Sequence, residues 1–257
     1  MISIMMRDSK KINGTVSFFL GILLIGLGLQ AGSSIKGNHV VFPSLNEILQ
    51  ALIHLLGNAD TYSKIGTTLL HVAEALAFSA GIGILIGLAE GSVQWLYSLL
   101  RPFMIVIRSL PMIVTVILVM SLLSYRIVPF TATSMILIPV FSEAVYEGCH
   151  SLDPDLINVY RINGSFGIKV ILYVYLPLLS GYLKQAFVNA AGMGVKIAIS
   201  AEYLVQTKNS LGKAIYSSGY FSEYAEIYAY ALIMVFLVLI ITEIPSLIAG
   251  YKNRKRT

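Results

Sequence analysis

An all-α membrane domain of six spans is the fold class this sequence predicts. Low charge, apolar stretches of bilayer length and an uneven distribution of basic residues all point to it. Of 257 residues, 56% are hydrophobic and 12% charged, about half the charge of an ordinary soluble domain. So little charge cannot cover the surface of a soluble fold. The composition therefore places the chain in a lipid bilayer, as one domain over residues 1–257. A single Cys149 cannot close an internal disulfide and says nothing of redox compartment. The net charge of +5 is no nucleic-acid signature either. Lys252, Arg254, Lys255 and Arg256 crowd the C-terminal tail, where a membrane-side anchor explains them.

A bilayer core takes about 20 mostly apolar residues per helix, and six stretches fit or nearly fit that length. They run over residues 16–31, 65–89, 103–124, 127–147, 185–205 and 225–250. The first follows Arg7, Lys10 and Lys11 and could pass for a secretory leader, but "LQAGSS" is a poor cleavage site. It reads as an uncleaved helix. Gly81, Gly83 and Gly87 in the second stretch predict close helix packing rather than a ligand site.

Basic residues fix the expected orientation. With the N-terminus in the cytoplasm, Arg7, Lys10, Lys11, Arg101, Arg161, Lys169, Lys184 and the four C-terminal charges face inward, eleven in all. Lys36, Lys64, Arg126, Lys208 and Lys213 face outward, five in all. Both termini are then cytoplasmic, and so is the long loop over residues 148–184 between the fourth and fifth spans.

That loop is the most polar part of the interior sequence, and a connection so long in a compact membrane protein is usually functional. "SLDPDLINVYRING" reads as a cap and a short helix, with Asp153 able to cap and Pro154 suited to the first turn. Gly164 permits a tight turn that a side chain would resist. A second short helix is predicted from Ser165 to just before Pro177, whose predecessor is biased to extended backbone. A plain surface connection and a docking helix-turn-helix both fit these residues.

Gly164 followed thirteen residues later by Leu176-Pro177 resembles the "EAA" loop of ABC importer permeases. The likeness extends from about Val41 to Glu243 and is closest to permeases for sulfonates, taurine, nitrate and thiamine precursors. "VFPSLNEIL" is similar to that group's "LPSP" segment, and "RSLPMIVTVIL" to its "R-x-x-P" start of the third span. "IPVFSEAVYEG" resembles its fourth span, and "AEYLVQTKNSLGKAI" its "AE…GLG" motif.

The resemblance implies the type I importer permease fold. Its coupling helix would run through Asn158, Val159, Tyr160 and Gly164 to Leu176 and Pro177, and would dock on an ATPase. The family's Glu-Ala-Ala would fall on Asn158, Val159 and Tyr160, so its acidic residue is missing here. The implied partners are a second permease copy, two cytoplasmic ATPase subunits carrying ATP and Mg, and an external solute-binding protein. The implied site is the plasma (inner) membrane of a prokaryote.

No cofactor and no catalysis are expected of this chain itself. "GSFGIK" and "NSLGKA" fall short of a phosphate-binding loop, and His39, His54, His71 and His150 are scattered. No G-x-S-x-G elbow occurs.

Charges within spans are costly and usually face a cavity or a partner. Glu147 and Glu202 lie near span ends and read as interfacial. Glu202 also matches the family's "AE" glutamate, which favours a contact to the loop after it. Arg108 reads as snorkelling to the headgroups or as lining a pathway. Glu143 and Lys196, of opposite sign, predict either a pair across helices or contact with a substrate.

Overall fold

The computed structural model describes residues 43–152 and 175–254, the last of these beyond Thr242 by their helical backbone alone. The described helices are α1 (Leu45–Gly57), α2 (Ala59–Ser92), α3 (Gln94–Ser109), α4 (Met112–Leu122) and α5 (Val128–His150). The short α6 (Leu176–Leu178), then α7 (Ser180–Val205), α8 (Leu211–Tyr220) and α9 (Tyr224–Arg254) follow. The described residues fall into two compact units. One holds those up to Asn58 with Ser217–Ala231, and the other Ala59–Tyr216 with Leu232 onward. The first predicted span, residues 16–31, lies outside the described residues, as do Asn158, Val159, Tyr160 and Gly164 of the coupling loop.

In the smaller unit, α1 starts on a reciprocal cap. The Ser44 N–H donates to Glu47 Oε2 at 2.6 Å, and the Glu47 N–H donates to Ser44 Oγ at 3.4 Å. Two otherwise unpaired helix-start donors are satisfied in this way. In the same unit, Ser218 Oγ donates to Glu226 Oε2 at 2.8 Å across the turn between α8 and α9.

The larger unit is built on α2, α5 and α7. Small residues let α2 and α5 approach closely. A Cβ on Gly83 would meet Phe141 Cβ at 2.5 Å, one on Gly87 the Ser142 carbonyl at 2.5 Å, and one on Gly91 Cys149 Cβ at 2.7 Å. Gly83 and Gly87 thus pack as predicted, and Gly91 extends their stripe by one more turn. Gly81 faces open space instead, being off that stripe by half a turn.

These contacts rise together along both helices, so α2 and α5 run parallel. Helix α7 runs against them: Leu179 and Tyr182 lie at Gly148, Phe187 at Phe141, and Gly194 near Leu137 and Thr133. Ser92, His150 and Ser180 mark one end of this core, the loop end.

Two parallel helices need a return crossing between them, and α3 with α4 supply it. Residues 103–124 were expected as one helix; instead the chain bends by 103° between Ser109 and Met112. Pro111 is the cause. It has no N–H to donate and holds Leu110 in extended backbone, φ −67° and ψ 129°. Beyond the bend, Val116 and Val119 of α4 pack on Val128 and Ala132 of α5.

Three described helices, α2, α5 and the Tyr224–Thr242 part of α9, are long and apolar enough to cross a bilayer. The bent pair makes a fourth if counted as one span. Helix α7 is long enough but carries Lys184, Gln185, Asn189, Lys196 and Glu202. It begins at Ser180 rather than Gln185, and Leu176-Pro177 is already helical rather than loop. Leu179, fully buried against Val145 and Cys149, pins this start to the bundle. Burial separates the roles of the spans. In α5, 61% of the spanning window is buried; in α9 only 17% is, so α9 turns its apolar surface outward.

Candidate functional site

Along the seam between α5 and α7, at its loop-end half, lies a half-open cavity of about 600 Å³. Helix α5 contributes Val140, Glu143 and Glu147 at one-turn spacing, and α7 contributes Tyr182, Gln185 and Asn189. Arg108, the next-to-last residue of α3, closes one side. Its guanidinium pairs with the Glu143 carboxylate, each side chain about half exposed. The proline bend places Arg108 here, because α3 stops just after it and turns away.

A smaller cavity of about 150 Å³ lies behind this pair, lined by Glu90, Tyr97, Arg101, Arg108, Ser142 and Glu143 among others. Glu90 is buried and accepts from Ser142 Oγ at 2.6 Å. Tyr97 stacks on Tyr146 with ring centroids 3.8 Å apart, and the Arg101 guanidinium sits 5.6 Å from the Tyr97 ring centre. These contacts hold α3 across the loop-end half of α5.

The expected partnership of Glu143 with Lys196 is corrected. Gly194 is level with Leu137 and Thr133, and Phe187 with Phe141. Lys196 therefore lies roughly ten residues from Glu143 along the seam, or about 15 Å at 1.5 Å per residue. Lys196 is exposed, is not among the cavity residues, and has no acidic partner at ion-pair distance among the described residues. Arg108, read as snorkelling or as lining a pathway, lines the cavity and pairs with Glu143. Opposite charges were sought within two straight spans, and the bend brought a third residue to Glu143 first.

Glu202, three residues before the end of α7, is fully buried, and it contacts the segment after it. Its carboxylate accepts from Thr68 Oγ1 at 2.8 Å and from the Gly212 N–H at 3.2 Å, and pairs with His71 Nδ1 at 2.7 Å. Thr68 Oγ1 in turn accepts the Leu211 N–H at 3.1 Å. A carboxylate at the start of α8 also meets the positive end of that helix dipole. The sequence reading missed His71, Thr68, Glu90 and Ser142. Thr68 and His71 are three residues apart and so share a helix face, which was the available signal.

Among the described residues, no group of three or more His, Cys, Asp or Glu side chains is gathered to hold a metal. Leu176 and Pro177, with Ser180, Leu183, Lys184 and Phe187, line an open and mostly apolar groove at the loop end.

The larger unit is thus a helical bundle that walls a half-open, charged cleft. The family model for the binding-protein-dependent transport system inner membrane component matches residues 79–257, and the chain belongs to that family. A bacterial ABC transporter involved in the import of the acidic polysaccharide alginate has a similar fold. Its TM-score is 0.68 at 15% identity, over 97% of this chain and 95% of that one. The MetNI methionine ABC transporter in inward-facing conformations aligns with a TM-score of 0.58 at 19% identity, over 72% of this chain and 95% of its own. No curated protein matches the chain.

Proposed function

We propose that this chain is the permease subunit of an ATP-driven, binding-protein-dependent importer of a small polar solute. The observation that carries this reading is the family match over residues 79–257, which takes in the α2–α5–α7 core from Ser79 onward. In this reading two copies form the pathway between them, in the plasma membrane of a prokaryote. Both termini are cytoplasmic, and six spans include the bent α3–α4 pair as the third. Two ATPase subunits, holding ATP and Mg, dock on the loop around Asn158, Val159, Tyr160, Gly164, Leu176 and Pro177. A solute-binding protein delivers the solute on the other face.

Closure of the ATPases moves the coupling loops, and the buried Leu179 passes that motion into the bundle. The cleft carrying Arg108 and Glu143 lies on the solute path, while Lys196, a helix-length away along the seam, belongs to its opposite half. The solute class read from resemblance is organic or oxyanionic: sulfonate, nitrate, taurine or a thiamine precursor.

One observation favours a second reading. A broken span is also what an ATPase-independent secondary transporter would show. Uptake into vesicles separates the two. Transport that needs hydrolysable ATP inside and survives collapse of ion gradients supports the importer; transport that follows an ion gradient without ATP overturns it.

A further inference from the structure

The cleft between α5 and α7 carries a charge imbalance. Among the described residues its charged lining is one cation, Arg108, and two carboxylates, Glu143 and Glu147. Arg108 is committed to Glu143, whose side chain is still 48% exposed. Glu147, one turn on and also exposed, has no cationic partner at ion-pair distance among the described residues. One carboxylate is thus left over on a wall shared with an ion pair. On the facing helix, Gln185 Nε2 donates to Asn189 Oδ1 at 3.2 Å. That bond uses one donor group and one acceptor, leaving the Gln185 carbonyl and the Asn189 amide to meet a solute. The volume of about 600 Å³ suits a small molecule.

In a half-open cleft with apolar walls, a fixed carboxylate attracts cations and repels anions more than it would on an open surface. We infer that this cleft carries solutes with a cationic centre, an ammonium or other onium group, and turns away simple oxyanions. In a zwitterion the cationic end meets Glu147 and the open side of Glu143, while the acidic end meets only the exposed edge of the Arg108 guanidinium, which keeps its bond to Glu143. In a two-fold dimer the surplus negative charge doubles. This rests on the reading of the cleft as the solute path, and it narrows that path's solutes: taurine, with its ammonium group, fits, and nitrate does not.

Binding to the intact complex, permease with its ATPases in nanodiscs at fixed ionic strength, tests this with three probes: tetramethylammonium, taurine and methanesulfonate. The first two are expected to bind and the third not. Glu147→Gln should weaken binding of tetramethylammonium and of taurine by roughly ten-fold, about 1.4 kcal/mol for one lost contact between opposite charges. Glu147→Lys should reverse the order and admit methanesulfonate. Glu147 is exposed and Gln keeps its size, so the neutral variant decides the matter if the charge reversal fails to assemble. Methanesulfonate binding as tightly as tetramethylammonium, or unchanged affinities in Glu147→Gln, would overturn the inference. Binding is read without ATP. A failure here is therefore distinct from failure of the importer reading, which would show as ATP-independent transport.

Discussion

At the scale of single residues, the informative positions are those where one atom more or less has a defined neighbour. A Cβ on Gly87 would lie 2.5 Å from the Ser142 carbonyl and 2.7 Å from Val145 Cβ, whereas one on Gly81 meets nothing within 4 Å. Gly87→Ala is expected to destabilise by about 1–3 kcal/mol, as overpacking does. Gly81→Ala should stay within about 0.5 kcal/mol of the parent. Thermal unfolding in detergent measures both, and equal effects would contradict the stripe.

The ion pair offers a second residue-scale expectation. Arg108→Met and Glu143→Gln should be non-additive, since either alone strands the other charge. Glu143→Gln with Lys196→Met should add within about 0.5 kcal/mol, because the two positions share no partner. Sequence alone had singled out Arg108, Glu143 and Lys196 because charge in an apolar span is conspicuous. It could not assign partners, since those depend on helix register and on a bend that periodicity does not report. Glu202 was legible only in part: its contact with the following loop was expected, its burial and its bond to His71 were not.

At the scale of elements, α5 and α9 end within four residues of the apolar runs that predicted them, while α2 starts six residues before the run at 65–89. The third span was not legible, although Pro111 was in plain view. A proline in an apolar stretch predicts a perturbation, but how far the chain swings depends on what each half packs against. Here α3 is held by Tyr97 on Tyr146 and by Arg108 on Glu143, while α4 lies on Val128 and Ala132.

Pro111→Ala restores a backbone donor and lets Leu110 enter the helix. Spin labels at Gln94 and Leu122 should then move apart, toward the ~42 Å of a continuous 94–122 helix. An unchanged distance would mean that tertiary contacts, not the proline, maintain the bend. The early start of α7 was hidden for a different reason: Ser180 to Lys184 is polar, and only burial of Leu179 shows that the helix is already seated there.

At the scale of the whole molecule, α2 and α5 run parallel and α7 antiparallel to them, which fixes the sequence of crossings in the core. The end of α5 and the start of α7 therefore lie at the same end of the core. Gly164→Val is expected to leave the complex assembled but to uncouple ATP hydrolysis from uptake, since a branched side chain resists the turn assigned to Gly164. Normal uptake with normal solute-stimulated hydrolysis would count against that loop as the transmission point. Cysteine labelling of whole cells from outside should reach a probe at Asn58 and miss one at Thr257. The opposite pattern would invert the topology and every face assigned here. Fold class and family were legible because the resemblance rested on the order and spacing of several motifs rather than on any one of them.

The brevity of α4 bears on how the chain is made. Eleven residues rise about 16 Å, roughly half the thickness of a hydrocarbon core. A translocon can release α4 into lipid as a crossing only together with α3. In its bent form α4 depends on Val128 and Ala132, which emerge a few residues later and close the hairpin with Val116 and Val119. Biosynthesis should therefore pause in commitment at this point. In nascent chains arrested just after α4, a cysteine placed in α4 should stay open to aqueous labelling, and in those long enough to expose all of α5 it should be protected.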